Sequence, residues 1–517
     1  MSSIEGLFAR YGPVYRWLAT ITAMLSAASV VLSTTIVNVA IPGVMGAFGI
    51  GQIEAQWIST AFLAVMVATM LLADWVDRAF GLRAGMMAAL AIFAAGSVMG
   101  ATAPNEIVLT LARVIQGAST GVVQPLALVV MFRVYPPERR GAAMGIFGVG
   151  VVLAPAIGPW IGGLLVDAFD WRYVFYLGVP FAGIALVLAQ LFLPTRADEG
   201  KLPPFDWIGL LLLCAFLGCA LNGLTDAQRR GWTSDEILIQ FVCAALAAFG
   251  FVLRERRAPR PLLDLRLFGV LPFAAASVVS FVMGAGLFGS IYLLPLFVQT
   301  IQGLSATDAG LMLMPAGFAL CFVFPVVGRI ADRVSPGIPI GLGLAVFALS
   351  TWLTAEIDIE SGFWTLAWLT ALSRLGLGMI FPPLTAGSLR VLPRELIAQG
   401  SGAVNFVRQL GGAFGVNLLA VFLERRTALH ADALTATQSF DNATTADYLA
   451  RIVQALRGVA LPDFQQLPAA ILFLGQAILS QATTLAFRDG FLVVTVIFAA
   501  ALIPNWILHR ATARRRP

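Results

Sequence analysis

Apolar residues run through this chain in long blocks, separated by short polar stretches. A helix needs roughly 20 apolar residues to cross the hydrocarbon core of a bilayer. Fourteen blocks approach or exceed that length: 17–40, 57–76, 82–103, 107–132, 142–166, 173–193, 207–224, 235–253, 271–298, 309–327, 339–355, 364–389, 401–423 and 489–508. The pattern predicts an all-α, polytopic membrane protein. It also repeats. LTLARVIQG (Leu109–Gly117) returns as LTALSRLGLG (Leu369–Gly378), and Asp77-Arg78 returns as Asp332-Arg333, at offsets of 261 and 255 residues. A parallel duplication of six-helix halves is a transporter layout with substrate held at the midplane between the halves. The halves are expected at 1–200 and 265–517, with an inserted pair of spans in 201–264.

Polar residues that interrupt the blocks are the candidates for chemistry. Arg113, Gln116, Thr120 and Gln124 stand at i, i+3, i+7 and i+11 in the fourth span, so they share one helix face. A charge inside a span is costly unless it faces a cavity or a partner. Two readings stand: a polar wall of a transport cavity, or a structural arginine bonded to a neighbouring helix. Arg374 in span twelve, and Asn405 with Arg408 in span thirteen, pose the same choice. Asp74 is the carboxylate set deepest in a span, near the end of span two. It is either a coupling group or an interfacial residue.

Gly148–Gly163, GVGVVLAPAIGPWIGG, interrupts the pattern differently. Gly150, Ala154, Gly158 and Gly162 recur every four residues, a small face that lets a second backbone come close. Pro155 and Pro159 each remove a backbone donor, which a membrane helix packed among neighbours tolerates. The stretch is either a gating contact or plain packing.

Composition narrows the classes. Charged residues are 12% of the chain and hydrophobic residues 59%. The four cysteines lie in apolar runs, without metal or disulfide spacing, and read as small buried hydrophobes. His430 and His509 lie outside the blocks, so no metal site or histidine relay is expected within the bilayer. The single lysine, Lys201, stands in no GxxxxGK[ST] loop, so ATP is not the energy source. The expectation is no enzyme, no cofactor and no nucleic-acid partner. With the N-terminus inside, 22 of the 33 Lys and Arg fall on the cytoplasmic side, seven fall outside, and four remain in or at the edge of spans. Positive charge favours the inside, so both termini are expected in the cytoplasm. The stretch 424–486 then forms a long external loop. Leu467, Ile471, Leu474 and Ile478 mark an amphipathic helix within it.

These segments, taken in order, resemble a known family. TTIVNVAIP (Thr34–Pro42, which holds Asn38), ARVIQG (Ala112–Gly117), the Gly148–Gly163 stretch, WRYVFYLGVP (Trp171–Pro180), DWIG (Asp206–Gly209), PLLDLRLF (Pro261–Phe268) and YLLPLFVQTIQGLSATDAGLMLMP (Tyr292–Pro315) are similar to those of the fourteen-helix drug:proton antiporters of the EmrB/QacA type, in the major facilitator superfamily. The resemblance implies the major facilitator fold and proton-driven efflux of amphipathic compounds across a bacterial inner membrane. It makes Arg113 a proton-coupling group. It also implies a cytoplasmic latch, G-x-x-x-D-R-x-G-x-R, met here by Asp77, Arg78, Gly81 and Arg83 with one extra residue, and by Gly328, Asp332 and Arg333 in the second half. Some relatives work with a periplasmic adaptor and an outer-membrane channel. One departure stands out: Ser33 occupies the place where relatives carry an aspartate. The remaining arginines point to weak acids and neutral aromatics as substrates. The alternatives are an exporter of one metabolite, such as a siderophore or lipid precursor, and a non-transporting scaffold or sensor.

Overall fold

The computed structural model describes residues 4–50, 52–196, 204–259, 261–304, 306–439, 441–457 and 462–513. Its helices are α1 (Ile4–Tyr11), α2 (Tyr15–Phe48), α3 (Gln52–Thr69), α4 (Ala73–Ala101), α5 (Glu106–Val134), α6 (Arg140–Ala168), α7 (Tyr173–Tyr176), α8 (Gly178–Phe192) and α9 (Trp207–Arg230). They continue as α10 (Asp235–Arg257), α11 (Leu271–Thr300), α12 (Ala306–Arg333), α13 (Gly337–Thr354), α14 (Phe363–Arg390), α15 (Ile397–Thr435), α16 (Ala443–Arg457), α17 (Asp463–Ala500) and α18 (Leu502–Ala513). No strand occurs among the described residues.

Twelve described stretches are long and apolar enough to cross a membrane. One of them, Trp57–Ala101, has 45 residues, which is about 67 Å of helix and twice what a bilayer needs. Its path breaks at Gly81, with φ 78° and ψ 168°. Only glycine adopts that conformation without strain, and a Cβ there would also lie 2.9 Å from the Cβ of Arg196. The stretch therefore makes two passes. Helix α6, with 29 residues, adds another. Counted this way, the described residues hold fourteen segments long enough to span, the number expected from the hydropathy pattern.

Buried apolar residues gather mainly into two cores, one built on α2–α6 and α8 that also takes in residues of α9, α14 and α15, and one on α11–α14 with α17. Close packing joins neighbours where glycines remove the side chain. A Cβ on Gly117 would lie 2.5 Å from the Phe62 carbonyl oxygen, and one on Gly121 would lie 2.3 Å from that of Met66, so α5 lies directly against α3. A Cβ on Gly284 would meet the Arg408 carbonyl in the same way, between α11 and α15. The inserted hairpin α9–α10 touches both halves: α9 packs on α3, and Thr225 Oγ1 bonds Asn417 Oδ1 of α15 at 3.2 Å. Asp206 caps α9 through the Gly209 N–H at 3.0 Å, and Arg254 of α10 pairs with the same carboxylate.

Two sequence expectations change. The stretch 424–486 is helical over most of its described length, because α15 and α17 continue well past the span. At about 58 Å each, they outrun a 30 Å core and form a stem. The cysteines are free as expected, but Cys243 is exposed and the other three are half-buried. An apolar position on a membrane helix faces lipid as readily as protein.

Candidate functional site

The polar stripe of α5 is buried at the centre of the first half. Arg113 is 1% exposed. Its Nε donates to the Ile58 carbonyl at 3.3 Å. Its Nη1 donates to the Ser33 carbonyl at 3.2 Å, to Ser33 Oγ at 3.1 Å and to Gln116 Oε1 at 2.9 Å. The guanidinium lies 3.9 Å over the Phe62 ring, a cation–π contact that partly replaces lost hydration. Gln116 passes the chain on, donating from Nε2 to Ser97 Oγ at 2.8 Å. Thr120 turns its hydroxyl back to the Gln116 carbonyl at 2.7 Å. Gln124, also buried, sits a turn beyond. One arginine thus ties α5 to α2 and α3, and Ser33 stands where a counter-ion would stand.

The second half has a comparable but looser arrangement. Arg408 donates from Nη2 to Asn405 Oδ1 at 2.5 Å and lies 5.0 Å over the Phe381 ring. Asn405 in turn donates to the Ser401 carbonyl at 3.0 Å. Gln409, beside it, reaches Met66 Sδ of α3 at 4.0 Å, a contact between halves. Arg374 is 5% exposed, and its Nη1 has no hydrogen-bond partner among the described residues. Arg113, Arg374 and Arg408 have no carboxylate within ion-pair distance among the described residues. Buried charge without a counter-ion is expensive, and groups held this way mark pathways in membrane proteins.

Three carboxylates of the repeated Asp-Arg segments and their surroundings, Asp74, Asp77 and Asp332, lie at one end of the bundle. Asp74 pairs with Arg78, four residues on, at 3.0 Å. Asp77 pairs with Arg133 at the end of α5 at 2.5 Å. Arg83 Nε donates to the Leu193 carbonyl at 2.7 Å and Arg196 Nη1 to that of Ala79 at 2.6 Å. This first Asp-Arg segment is therefore bound within its own half. The second segment crosses over. Asp332 accepts from the N–H groups of Gly141 and Ala142 at 2.7 and 2.9 Å. Those donors are among the N–H groups that open α6 and lack intrahelical partners, where the helix dipole favours an anion. Arg390 closes the contact, pairing with Asp332 at 3.4 Å and donating to the Pro137 carbonyl at 3.0 Å. Gly328 makes room: a Cβ there would lie 2.4 Å from the Gly141 carbonyl oxygen. Gly145 meets Phe324 of α12 as closely. Arg333 is exposed at the end of α12.

Residues 23–416 match the Major Facilitator Superfamily. The chain belongs to that superfamily. Relatives refine the placement. The multidrug resistance protein B homolog of Mycobacterium tuberculosis is 30% identical over 497 residues, covering 94% of this chain and 89% of the relative. The multidrug export protein EmrB of Haemophilus influenzae is 28% identical over 491 residues, covering 95% of each. The chain is of the EmrB/QacA type within the superfamily. The proton:xylose symporter XylE shares its fold, with a TM-score of 0.61, 13% identity and 96% of each chain covered.

In this major facilitator, the glycine-proline helix α6 joins two partners. A Cβ on Gly150 would lie 2.6 Å from Met24 Cε and one on Gly162 the same distance from Ile36 Cγ1, both on α2. Gly141, Gly145 and Gly148 face α12. Gly158 is buried. The side chains of Asn38, Ala154, Pro155 and Pro159 lie outside the described residues. Sequence reasoning missed Phe62, Ser97 and Arg133, whose roles come from neighbouring helices and leave no spacing signal.

The Asp332 contact gives a direct test. Two hydrogen bonds to a carboxylate at a helix N-terminus are worth on the order of 2–3 kcal/mol. Asp332→Ala is expected to loosen α6 from α12. In a background with the four cysteines replaced by serine, Met144→Cys is buried. Its labelling by a water-soluble maleimide should rise on the order of tenfold or more with Asp332→Ala. An unchanged rate would show that the glycine packing alone holds this end shut.

Proposed function

We propose that this chain is a proton-driven exporter of amphipathic compounds in the bacterial inner membrane, with both termini in the cytoplasm. The observation that carries this reading is the set of three buried arginines without carboxylate partners among the described residues, on helices of both halves, together with the names of the relatives. The proposed units are residues 1–200 and 265–517 as the two halves, with 201–264 as an inserted hairpin. The latch end is the cytoplasmic end, where the loops are richest in arginine. Substrate enters between the halves and meets a positive field, which favours weak acids and neutral aromatics. Asp332 is our candidate for the proton-sensitive contact: its protonated carboxyl would hold the α6 N–H groups less strongly, and the halves would part on that side.

The test is substrate-dependent proton flux in proteoliposomes. A lipophilic weak acid should drive proton movement in the wild type, and Asp332→Asn should reduce it. Flux without dependence on any of a panel of acids, neutral aromatics and cations would defeat the drug-export reading.

The stem of α15 and α17 supports a periplasmic adaptor as partner. Phe464, Leu467, Ile471 and Leu472 stand exposed on it, an apolar face beyond the bilayer. Removing residues 436–461, which include α16, should leave flux in proteoliposomes unchanged while lowering the protection of living cells. Equal protection by the truncated protein would sink the adaptor role.

A further inference from the structure

The inserted hairpin α9–α10 begins and ends on two buried carboxylates. Asp206, just before α9, and Glu255, near the end of α10, are 5% and 4% exposed. Asp206 has its partners. Its Oδ1 accepts the Gly209 N–H at 3.0 Å, and Arg254 Nε donates to both of its oxygens at 3.0 Å. Glu255 is satisfied at one oxygen only. Its Oε2 accepts the Leu263 N–H at 2.9 Å, while its buried Oε1 has no hydrogen-bond partner among the described residues. A Cβ on Gly209 would lie 2.9 Å from Asp206 Oδ2 and 2.9 Å from Glu255 Oε1. The space that this glycine leaves is therefore bordered by one oxygen of each carboxylate.

The other charges on the adjoining elements are engaged elsewhere or face away. Asp264, in the strap that follows α10, accepts the Arg266 N–H at 2.9 Å. Phe205 meets Trp75 of α4, where Asp74 pairs with Arg78. The only charged residue of α3, Glu54, stands in its first turn, at the far end. From α15 comes a neutral group, Gln399, which donates to the Pro261 carbonyl at 3.2 Å. Arg256 and Arg257 are exposed. Lys201 and Arg260 lie outside the described residues. One arginine thus serves two carboxylates, and it is bonded to Asp206. A buried charge without a partner is neutralised rather than kept, and two carboxylates that share a site hold one proton between them.

We infer that Glu255 and Asp206 share a proton, which makes the base of the hairpin a proton-binding site separate from the central arginines and from Asp332. Glu255 Oε1 carries the hydrogen toward Asp206 Oδ2 over Gly209, and Oε2 keeps the Leu263 N–H. The proton so ties the start of α9 to the end of α10 and to the strap that leads into the second half. The Arg254 side chain is 37% exposed, so the pair borders on water at one edge. The site rests on no step of the export reading.

The test is an infrared pH titration of the full-length protein in lipid nanodiscs, with glutamate isotope-labelled at the side-chain carboxyl. The label separates protonated glutamate from protonated aspartate. The expected result is a protonated-glutamate band that persists toward neutral pH, where an ordinary glutamate has lost its proton. Glu255→Gln should remove it. Asp206→Asn keeps a capping side chain for α9 and should lower the proton affinity at least about tenfold, which moves the band's loss by about one pH unit. Arg113→Ala should leave the band in place, so the site and the export reading fail separately. No such band in the wild type, or a band that survives Glu255→Gln, overturns the site. A band that Asp206→Asn leaves unmoved overturns the sharing, and this measurement decides alone if Glu255→Gln does not insert.

Discussion

Arg113→Ala abolishes coupled export, and Arg113→Lys restores little of it. The wild-type guanidinium bonds at two nitrogens at once: Nε to the Ile58 carbonyl, and Nη1 to Ser33 and Gln116. Its Cζ also lies 3.9 Å from the centre of the Phe62 ring. Lysine keeps the charge as a point, without the planar fork or the stacked face. It can serve one of these helices but not both. The carbonyl oxygens of Ile58 and Ser33 lie in α3 and α2, so removing the arginine leaves no buried donor orphaned on those helices. The cation–π contact is worth up to about 2 kcal/mol, so the variant should still fold. The measurement is proton flux with a weak acid in proteoliposomes, beside a thermal melt. A loss of at least about a hundredfold in rate, with folding retained, corresponds to roughly 2.7 kcal/mol of coupling. Wild-type flux in Arg113→Ala would remove this residue from the mechanism. Wild-type flux in Arg113→Lys would show that the point charge suffices.

Much of this architecture is legible along the chain, because a bilayer leaves few choices for a backbone. Length of apolar run locates the passes, and the echo of Arg113 by Arg374 reveals the duplication. The i, i+3, i+7, i+11 spacing places the α5 stripe on one face, and all four residues are buried. Asp74 meets Arg78 one turn along the same helix, a contact that i, i+4 spacing allows.

Partners on other helices carry no such signal. Asp77 and Asp332 look equivalent in sequence. Yet Asp77 meets Arg133 within its own half, while Asp332 reaches the start of α6 in the other. The difference depends on which helix end lies opposite, and that is set by packing. The stretch 424–486 misleads for another reason. Its Ala/Thr-rich beginning reads as a loop, but α15 continues into it on the support of α17, with Arg426 and His430 joined to Asp489 across the pair. Tertiary contact overrides weak local preference there.

Ser33→Asp shifts preference toward cations and weakens export of anionic compounds. The geometry makes the substitution direct. Ser33 Oγ already accepts from Arg113 Nη1 at 3.1 Å, so a carboxylate at this position comes within about 4 Å of the guanidinium. At an effective dielectric near 20 such a pair attracts by about 4 kcal/mol, enough to cancel much of the arginine's field at the bundle centre. A bound anion would then lose the help of Arg113 and keep only that of Arg374 and Arg408. A cation would lose the repulsion. Two unit charges roughly 8 Å apart interact by about 2 kcal/mol at the same dielectric, or around thirtyfold in affinity. The expected result is a change of about that size, in opposite directions, for a matched anionic and cationic pair of lipophilic dyes. Efflux of both is followed in vesicles of wild type and Ser33→Asp. A wild type that already prefers the cation, or a preference that the new aspartate leaves in place, would mean that the buried arginines are spent on holding helices together and do not set the sign of the substrate path.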